Sequence, residues 1–224
     1  MIRFRFEKTG RLKYIAHLDL QRTFHRAMTR ANIPVAFTQG FNPLIKTAFG
    51  PPLSLGVESR AEYADLWLAD DTYSPDAFVA AMNETLPTGL RVLEAVRFLE
   101  KPQSLNSWVD TADYVITCNQ PIPEGFEAAW QALPDMFARK KSKAGMVDRD
   151  LKQDIRLMHK GEGENILLLQ AGLGAKPTLI LKVLQEKGIL PDSFQFTNIL
   201  RTELRHLTEN GNLLDPFLSK EGHH

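Results

Sequence analysis

The pattern of hydrophobic and polar positions in the first half of the chain predicts two helices and four strands. Apolar and polar residues alternate over Ile2–Glu7, as on a strand with one buried face. From about His17 to Ala31 apolar residues recur at helical spacing, and Pro34 ends this helix because proline disfavours helix in the residue before it. The remaining elements are strand Ile45–Phe49, strand Glu62–Ala69, helix Asp76–Glu84 and strand Gly89–Phe98. The order is β-α-β-β-α-β.

The second half repeats this order. Its elements are strand Asp113–Cys118, helix Glu124–Phe137, hairpin strands Asp150–His159 and Glu164–Ala171, helix Pro177–Lys187 and strand Phe194–Leu207. Two such units predict an α+β fold with two tandem ferredoxin-like (βαββαβ) domains, at residues 1–102 and 108–208. Residues 209–224 form a tail that ends in what looks like a truncated His tag. The alternative is a single α+β domain with a larger mixed sheet.

Composition narrows the class of protein without identifying it. The 224 residues are 43% hydrophobic and 24% charged, as in ordinary globular proteins. The chain has no apolar run long enough to span a membrane and no apolar signal region, so we expect a cytoplasmic protein without membrane contacts. One cysteine, Cys118, lies in an apolar strand-like run, which favours a buried, unreactive thiol. A single thiolate cannot hold an iron–sulfur cluster, and we expect no cofactor and no metal.

A net charge of zero hides a strong segregation of charge. Residues 1–60 contain ten Lys/Arg against three Asp/Glu, a net charge of +7, whereas residues 61–110 have a net charge of −6. Arg22, Arg26 and Arg30 fall at i, i+4 and i+8, and therefore form one stripe along the first predicted helix. This stripe is either a solvated helix face, with Asp19 pairing Arg22, or a surface that binds nucleic-acid phosphates or an acidic partner.

Other polar and aromatic residues of the same segment complete the candidate site. Phe41 lies in a Gly40–Pro43 turn near Lys46, a pairing suited to stacking a base with a phosphate nearby. Glu58 and Glu62 are predicted to accept hydrogen bonds from Arg22 or Arg26 in a salt-bridge network rather than to act as acid and base. The candidate binding residues are Tyr14, His17, Asp19, Arg22, Arg26, Arg30, Phe41, Asn42, Lys46, Glu58, Ser59 and Glu62.

Three blocks of this segment resemble a known family. They are Tyr14-Ile-Ala-His17-Leu-Asp19-Leu-Gln-Arg22, Gly40-Phe-Asn-Pro43 and Leu55-Gly56-Val-Glu58-Ser59-Arg-Ala-Glu62-Tyr63. In this order they resemble the radical-SAM-linked protein family, a bacterial domain of unknown function that is fused to, or encoded beside, a radical SAM protein. Two positions depart from the family pattern: Ala16 replaces the usual serine, and Leu44-Ile45 replace His-Pro before Lys46.

The resemblance implies a radical SAM partner that carries the iron–sulfur cluster. We therefore expect a non-catalytic accessory protein that binds a substrate, RNA in the first instance, for that enzyme. One alternative is a metal-independent RNA-processing enzyme that uses His17 with Tyr14 or Asp19. Another is a docking module whose basic face binds the radical SAM protein itself.

Overall fold

The computed structural model describes residues 1–142 and 145–218. The protein is α+β, with mostly antiparallel strands and, among those residues, five α-helices. The chain divides into two compact units. The first contains Met1–Asp110 and the residues from Leu204 onward, and the second contains Thr111–Glu203. Over the described ranges, no helix is long and apolar enough to cross a bilayer.

The first unit is built around a central strand. Its strands are β1 (Ile2–Lys8), β2 (Thr47–Phe49), β3 (Glu58–Leu66) and β4 (Leu90–Arg97), and its helices are α1 (His17–Arg30), α2 (Pro75–Thr85) and α3 (Leu105–Trp108). β1 pairs antiparallel with β3 on one side and with β4 on the other, and β2 pairs antiparallel with the far edge of β3. The strand order is therefore β4-β1-β3-β2. The predicted order of elements in this half is confirmed, with some boundaries moved by up to four residues.

Aromatic side chains dominate the core between this sheet and its helices. Phe4 and Phe6 of β1 pack against Phe24 of α1, with ring centroids 5.7 and 4.6 Å apart. Phe24 and Phe78 of α2 are fully buried. Each such ring contributes about 1.5–3 kcal/mol by leaving water. The periodicity that predicted α1 corresponds to its buried face, and Arg22, Arg26 and Arg30 lie on its exposed face.

The opposite face of the same sheet buries an ion pair. Arg3 is completely buried and binds Asp65 through two hydrogen bonds, of 2.7 and 3.0 Å. Its guanidinium also donates to the backbone carbonyls of Gln103 and Pro216. The segment predicted as a tail from residue 209 thus contains buried Pro216, and also a short strand, β11 (Leu213–Leu214).

The second unit has a four-stranded sheet and a separate hairpin. Its elements are β5 (Thr111–Cys118), α4 (Phe126–Ala132), β6 (Phe137–Ser142), β7 (Gly145–Asp150), β8 (Ile155–Lys160), β9 (Ile166–Gly172), α5 (Pro177–Glu186) and β10 (Phe196–Leu207), whose last residues belong to the first unit. The strand order is β10-β5-β9-β8, while among the strands that the structure describes β6 and β7 pair only with each other.

Three predictions for this unit are wrong. The strand predicted from Asp150 begins at Ile155, and a 3-10 helix over Lys152–Asp154 separates it from β7. The helix predicted to reach Phe137 ends at Ala132, because Pro134 disfavours helix in the residue before it. The basic run from Arg139, whose charge is typical of a solvated loop and which no predicted strand included, lies in β6 as far as Ser142; Lys143 lies outside the described residues. Charge alone suggested a loop, but the backbone of this run is satisfied by pairing with β7.

Candidate functional site

The exposed face of α1 carries the three arginines of the predicted stripe. Arg22 pairs with Asp19 at 3.0 Å, and both side chains remain more than half exposed. The guanidinium of Arg30 donates to the carbonyl of Thr85 at the C-terminal end of α2. Arg26 is exposed and makes no hydrogen bond or ion pair within the described ranges. The stripe therefore keeps more positive charge than its one internal carboxylate neutralises.

A β-hairpin over residues 36–46, which we call the 36–46 hairpin, follows α1. The Thr38 amide donates to the carbonyl of Leu44, and Phe37 pairs with Ile45 across the hairpin. The predicted turn forms its tip, where Gly40 has a φ of 134° that favours glycine. Phe41 at this tip is fully exposed, and Phe37 and Leu44 are also more than half exposed. Asn42 is exposed beside Phe41. The hairpin thus presents three large apolar side chains to solvent.

Lys46 has a different aromatic neighbour from the predicted one. Its Nζ lies 5.1 Å from the centre of the Trp67 ring, in cation–π geometry, rather than against Phe41. Trp67 follows β3 directly, and its amide donates to the carbonyl of Lys46. We did not single out Trp67 from the sequence. Period-two alternation along the predicted strand would have placed it on the same face as Asp65.

Glu58 binds the loop that precedes α1. Its Oε1 accepts from the Gly10 amide at 3.2 Å and lies 3.7 Å from Lys13 Nζ. Lys13 Nζ in turn lies 5.7 Å from the centre of the exposed Tyr14 ring. In the described part of the chain Glu58 and Glu62 make no ion pair with Arg22 or Arg26, so that predicted network is wrong.

Two further candidates lie inside the protein. Ser59 is completely buried and its Oγ accepts from the Ala61 amide, and Glu62 is 5% exposed. Both side chains belong to β3, where they contribute to the interior of the first unit rather than to an accessible surface.

The two histidines of α1 have structural contacts. His17 Nε2 lies 3.0 Å from Gln21 Nε2, and its ring meets the edge of Phe49. Among the described residues it makes no hydrogen bond, ion pair or ring contact with Tyr14 or Asp19, so the pairs that a His17-dependent enzyme would use are not formed in this structure. His25 Nε2 lies 2.8 Å from Thr47 Oγ1, and burial lowers the pKa of His25.

The remaining candidates for chemistry offer no reactive centre. Cys118 is buried in the second unit, as predicted, and burial raises the pKa of its thiol to about 11. A thiol with this pKa is almost entirely protonated at neutral pH, and is therefore a poor nucleophile. Over residues 1–142 and 145–218, no group of three His, Cys, Asp or Glu side chains is placed to hold a metal ion.

The candidate residues form neighbouring features rather than one cleft. In the described ranges no hydrogen bond, ion pair or ring contact joins His17, Phe41, Lys46 and Glu58 to one another. Fold and surface together define an α+β protein whose first unit presents a basic helix face and an apolar hairpin. The chain belongs to a family described as an uncharacterized protein conserved in bacteria (DUF2344), whose profile matches residues 1–184. No curated protein matches the chain.

Proposed function

We propose that the protein is a non-catalytic accessory that binds RNA and presents it to a radical SAM enzyme. The observation that carries this proposal is the exposed arginine stripe Arg22, Arg26 and Arg30 on α1. Guanidinium groups bind phosphate oxygens strongly and through two parallel hydrogen bonds. A row of them along a helix matches a chain of phosphates better than it matches a single small anion.

The 36–46 hairpin supports single-stranded RNA in particular. Bases stacked on exposed aromatic rings contribute about 1–3 kcal/mol each, and this stacking needs no particular sequence. Phe37 and Phe41 offer two such rings on the segment that follows α1. RNA recognition commonly targets loops and single strands for this reason.

The radical SAM partner is proposed from the resemblance of residues 14–63 to the radical-SAM-linked family. With one buried cysteine, this chain cannot hold an iron–sulfur cluster on its own. The cluster would therefore belong to the partner. We also propose that both units are ferredoxin-like domains. In each sheet the first strand lies between the last strand and a strand that precedes the last helix, with the orders β4-β1-β3-β2 and β10-β5-β9-β8. In the second unit the β6–β7 hairpin would be an insertion.

A binding titration with bulk tRNA and rRNA at several salt concentrations tests RNA binding. We expect the logarithm of the binding constant to fall with the logarithm of salt concentration, with a slope of about −2 to −3 for three phosphate contacts. No binding, or binding that does not depend on salt, would overturn the proposal.

A second candidate function is docking of the radical SAM protein itself. The exposed apolar side chains of Phe37, Phe41 and Leu44 favour it, because such side chains are typical of protein interfaces. Co-purification with the partner tests this function. Docking is supported if the complex survives nuclease treatment and is lost on Phe41→Ser, and RNA-mediated association is supported if nuclease alone dissolves the complex.

A further inference from the structure

A cavity of about 330 Å³ lies in the first unit on the side of the sheet away from α1. Its lining includes Lys46, Ala48, Asp65, Trp67, Lys101 and Ser104. Ala64 and Leu66 of β3 face the core beneath α1, so Asp65 and Trp67, which alternate with them, face the other way. The volume falls within the range of pockets that bind small molecules.

Buried and partly buried hydrogen bonds fix both walls of this cavity. Arg3 holds Asp65 in the floor and also binds the carbonyl of Gln103, within the segment that forms the opposite wall. Asn106 Nδ2, just after this segment, donates to the carbonyl of Phe49 at the end of β2. The segment that forms this wall is therefore hydrogen-bonded to Arg3, which binds Asp65 of β3, and to the end of β2. A ligand would meet a preorganised site.

The charges and the aromatic ring of the cavity indicate the chemistry of its ligand. The one carboxylate in the lining, Asp65, is neutralised by Arg3, whereas the exposed amines of Lys46 and Lys101 stand at opposite walls. The ring of Trp67 lies next to Lys46. Ala48 and Asp65 are opposite each other across β2 and β3, and the small alanine side chain leaves the floor open. A planar ring with an attached anionic group fits this arrangement.

We propose that this cavity binds a ribonucleoside monophosphate unit, with the base against Trp67 and the phosphate between Lys46 and Lys101. The site is separate from the stripe on α1 and does not depend on RNA binding there. The nucleotide is either free or part of an RNA chain, since both present the same base and phosphate.

Isothermal titration calorimetry of the full chain with AMP, UMP and a short oligouridylate tests the proposal. We expect a saturable binding isotherm with a mononucleotide or with the oligonucleotide, and at least about tenfold weaker binding of inorganic phosphate and of uncharged adenosine or uridine. Isotherms with AMP or UMP assign the cavity to free nucleotides. An isotherm with the oligonucleotide alone assigns it to a nucleotide within RNA if Lys101→Glu weakens that isotherm, and contradicts the proposal if Lys101→Glu leaves it unchanged.

Variants distinguish the cavity from other basic surfaces. Lys101→Glu should weaken binding at least about tenfold, while Arg91→Glu, which makes the same charge change at an exposed position of β4, should change it less than about twofold. Ala48→Leu fills the floor without changing any charge and should abolish binding, and circular dichroism checks that all three variants fold. Absence of binding by folded wild-type protein, or equal losses in Lys101→Glu and Arg91→Glu, would overturn the proposal. RNA binding by α1 is tested separately, by variants of α1.

Discussion

The two units differ in how far carboxylates neutralise the positive charges on their helices. On α5, Lys182 lies 3.6 Å from Glu186, and just after this helix Lys187 lies 2.7 Å from Asp135. On α1, within residues 1–142 and 145–218, one arginine of three has a carboxylate partner and Arg30 binds only a neutral carbonyl. The helix of the second unit compensates its own charge, whereas that of the first unit directs its charge to solvent. A positive field that the protein does not neutralise is available to an anionic ligand.

The units also differ in how much their ion pairs stabilise them, and this gives the largest expected effect. Arg3→Met leaves the Asp65 carboxylate buried without its partner and removes donors from two backbone carbonyls. We expect a loss of about 3–5 kcal/mol in the free energy of unfolding, measured by urea denaturation. Lys182→Met, which breaks an exposed pair, should cost at most about 1 kcal/mol. Similar losses in the two variants would show that the buried pair does not hold the first unit together.

Charge reversal on the two helices tests whether the difference between them matters for binding. Arg26→Glu on α1 should weaken RNA binding by roughly tenfold and make its salt slope shallower by about one unit. Lys182→Glu on α5 makes the same change of charge, and should leave affinity within about twofold. Filter-binding titrations of both variants measure this. If Lys182→Glu weakens binding as much as Arg26→Glu, the RNA recognises net charge rather than the face of α1.

Helix α2 of the first unit and helix α5 of the second unit have different N-caps. Ser74 Oγ accepts from the amides of Asp76 and Ala77 at the start of α2, whereas Lys176 before α5 makes no side-chain cap. Ser74→Ala should therefore lower the free energy of unfolding by about 1 kcal/mol. Lys176→Ala should change it by less than about 0.5 kcal/mol. Thermal and urea denaturation measure both, and equal effects would mean that the cap contributes nothing.

Histidine substitutions in the two units give the smallest expected difference, which is in the pH dependence of the free energy of unfolding. Burial lowers the pKa of His25 below its unfolded value, so its contribution to stability is present above about pH 6.5 and is lost as pH falls through the lowered pKa. His25→Gln should make stability less dependent on pH between about 6.5 and 5. His159→Gln in the second unit is the control. Urea denaturation across this pH range would contradict the expectation if His25→Gln left the pH dependence of wild type unchanged.

The sequence predicted local elements well where one periodicity dominated. α1 was predicted because its apolar residues Leu20, Phe24, Ala27 and Met28 meet one core, and β1 because Phe4 and Phe6 alternate with charged residues. The β6–β7 hairpin was missed because its sequence is rich in charged residues, such as exposed Arg139, Asp148 and Arg149, and charge in a sequence does not distinguish a paired strand from a loop. The burial of Arg3 was missed because it depends on Gln103 and Pro216, which are far away along the chain.

The candidate site shows the same limit. The arginine stripe follows from helical spacing alone, so its exposure was predictable. Partners across the fold were not, and Glu58 therefore proved to bind Gly10 and Lys13 instead of arginines. Lys46 likewise lies against Trp67, which meets it only because β2 pairs with β3.

Ultraviolet crosslinking of bulk RNA to the full chain, followed by mass spectrometry of the attached peptides, tests the proposed role of the first unit most directly. Aromatic rings stacked on bases crosslink efficiently, so we expect adducts within residues 17–46, with Phe41 prominent. Phe41→Ala should remove the adduct at the hairpin tip and leave those on α1. Adducts confined to residues 111–203, or no adducts at all, would contradict the assignment of RNA binding to the first unit.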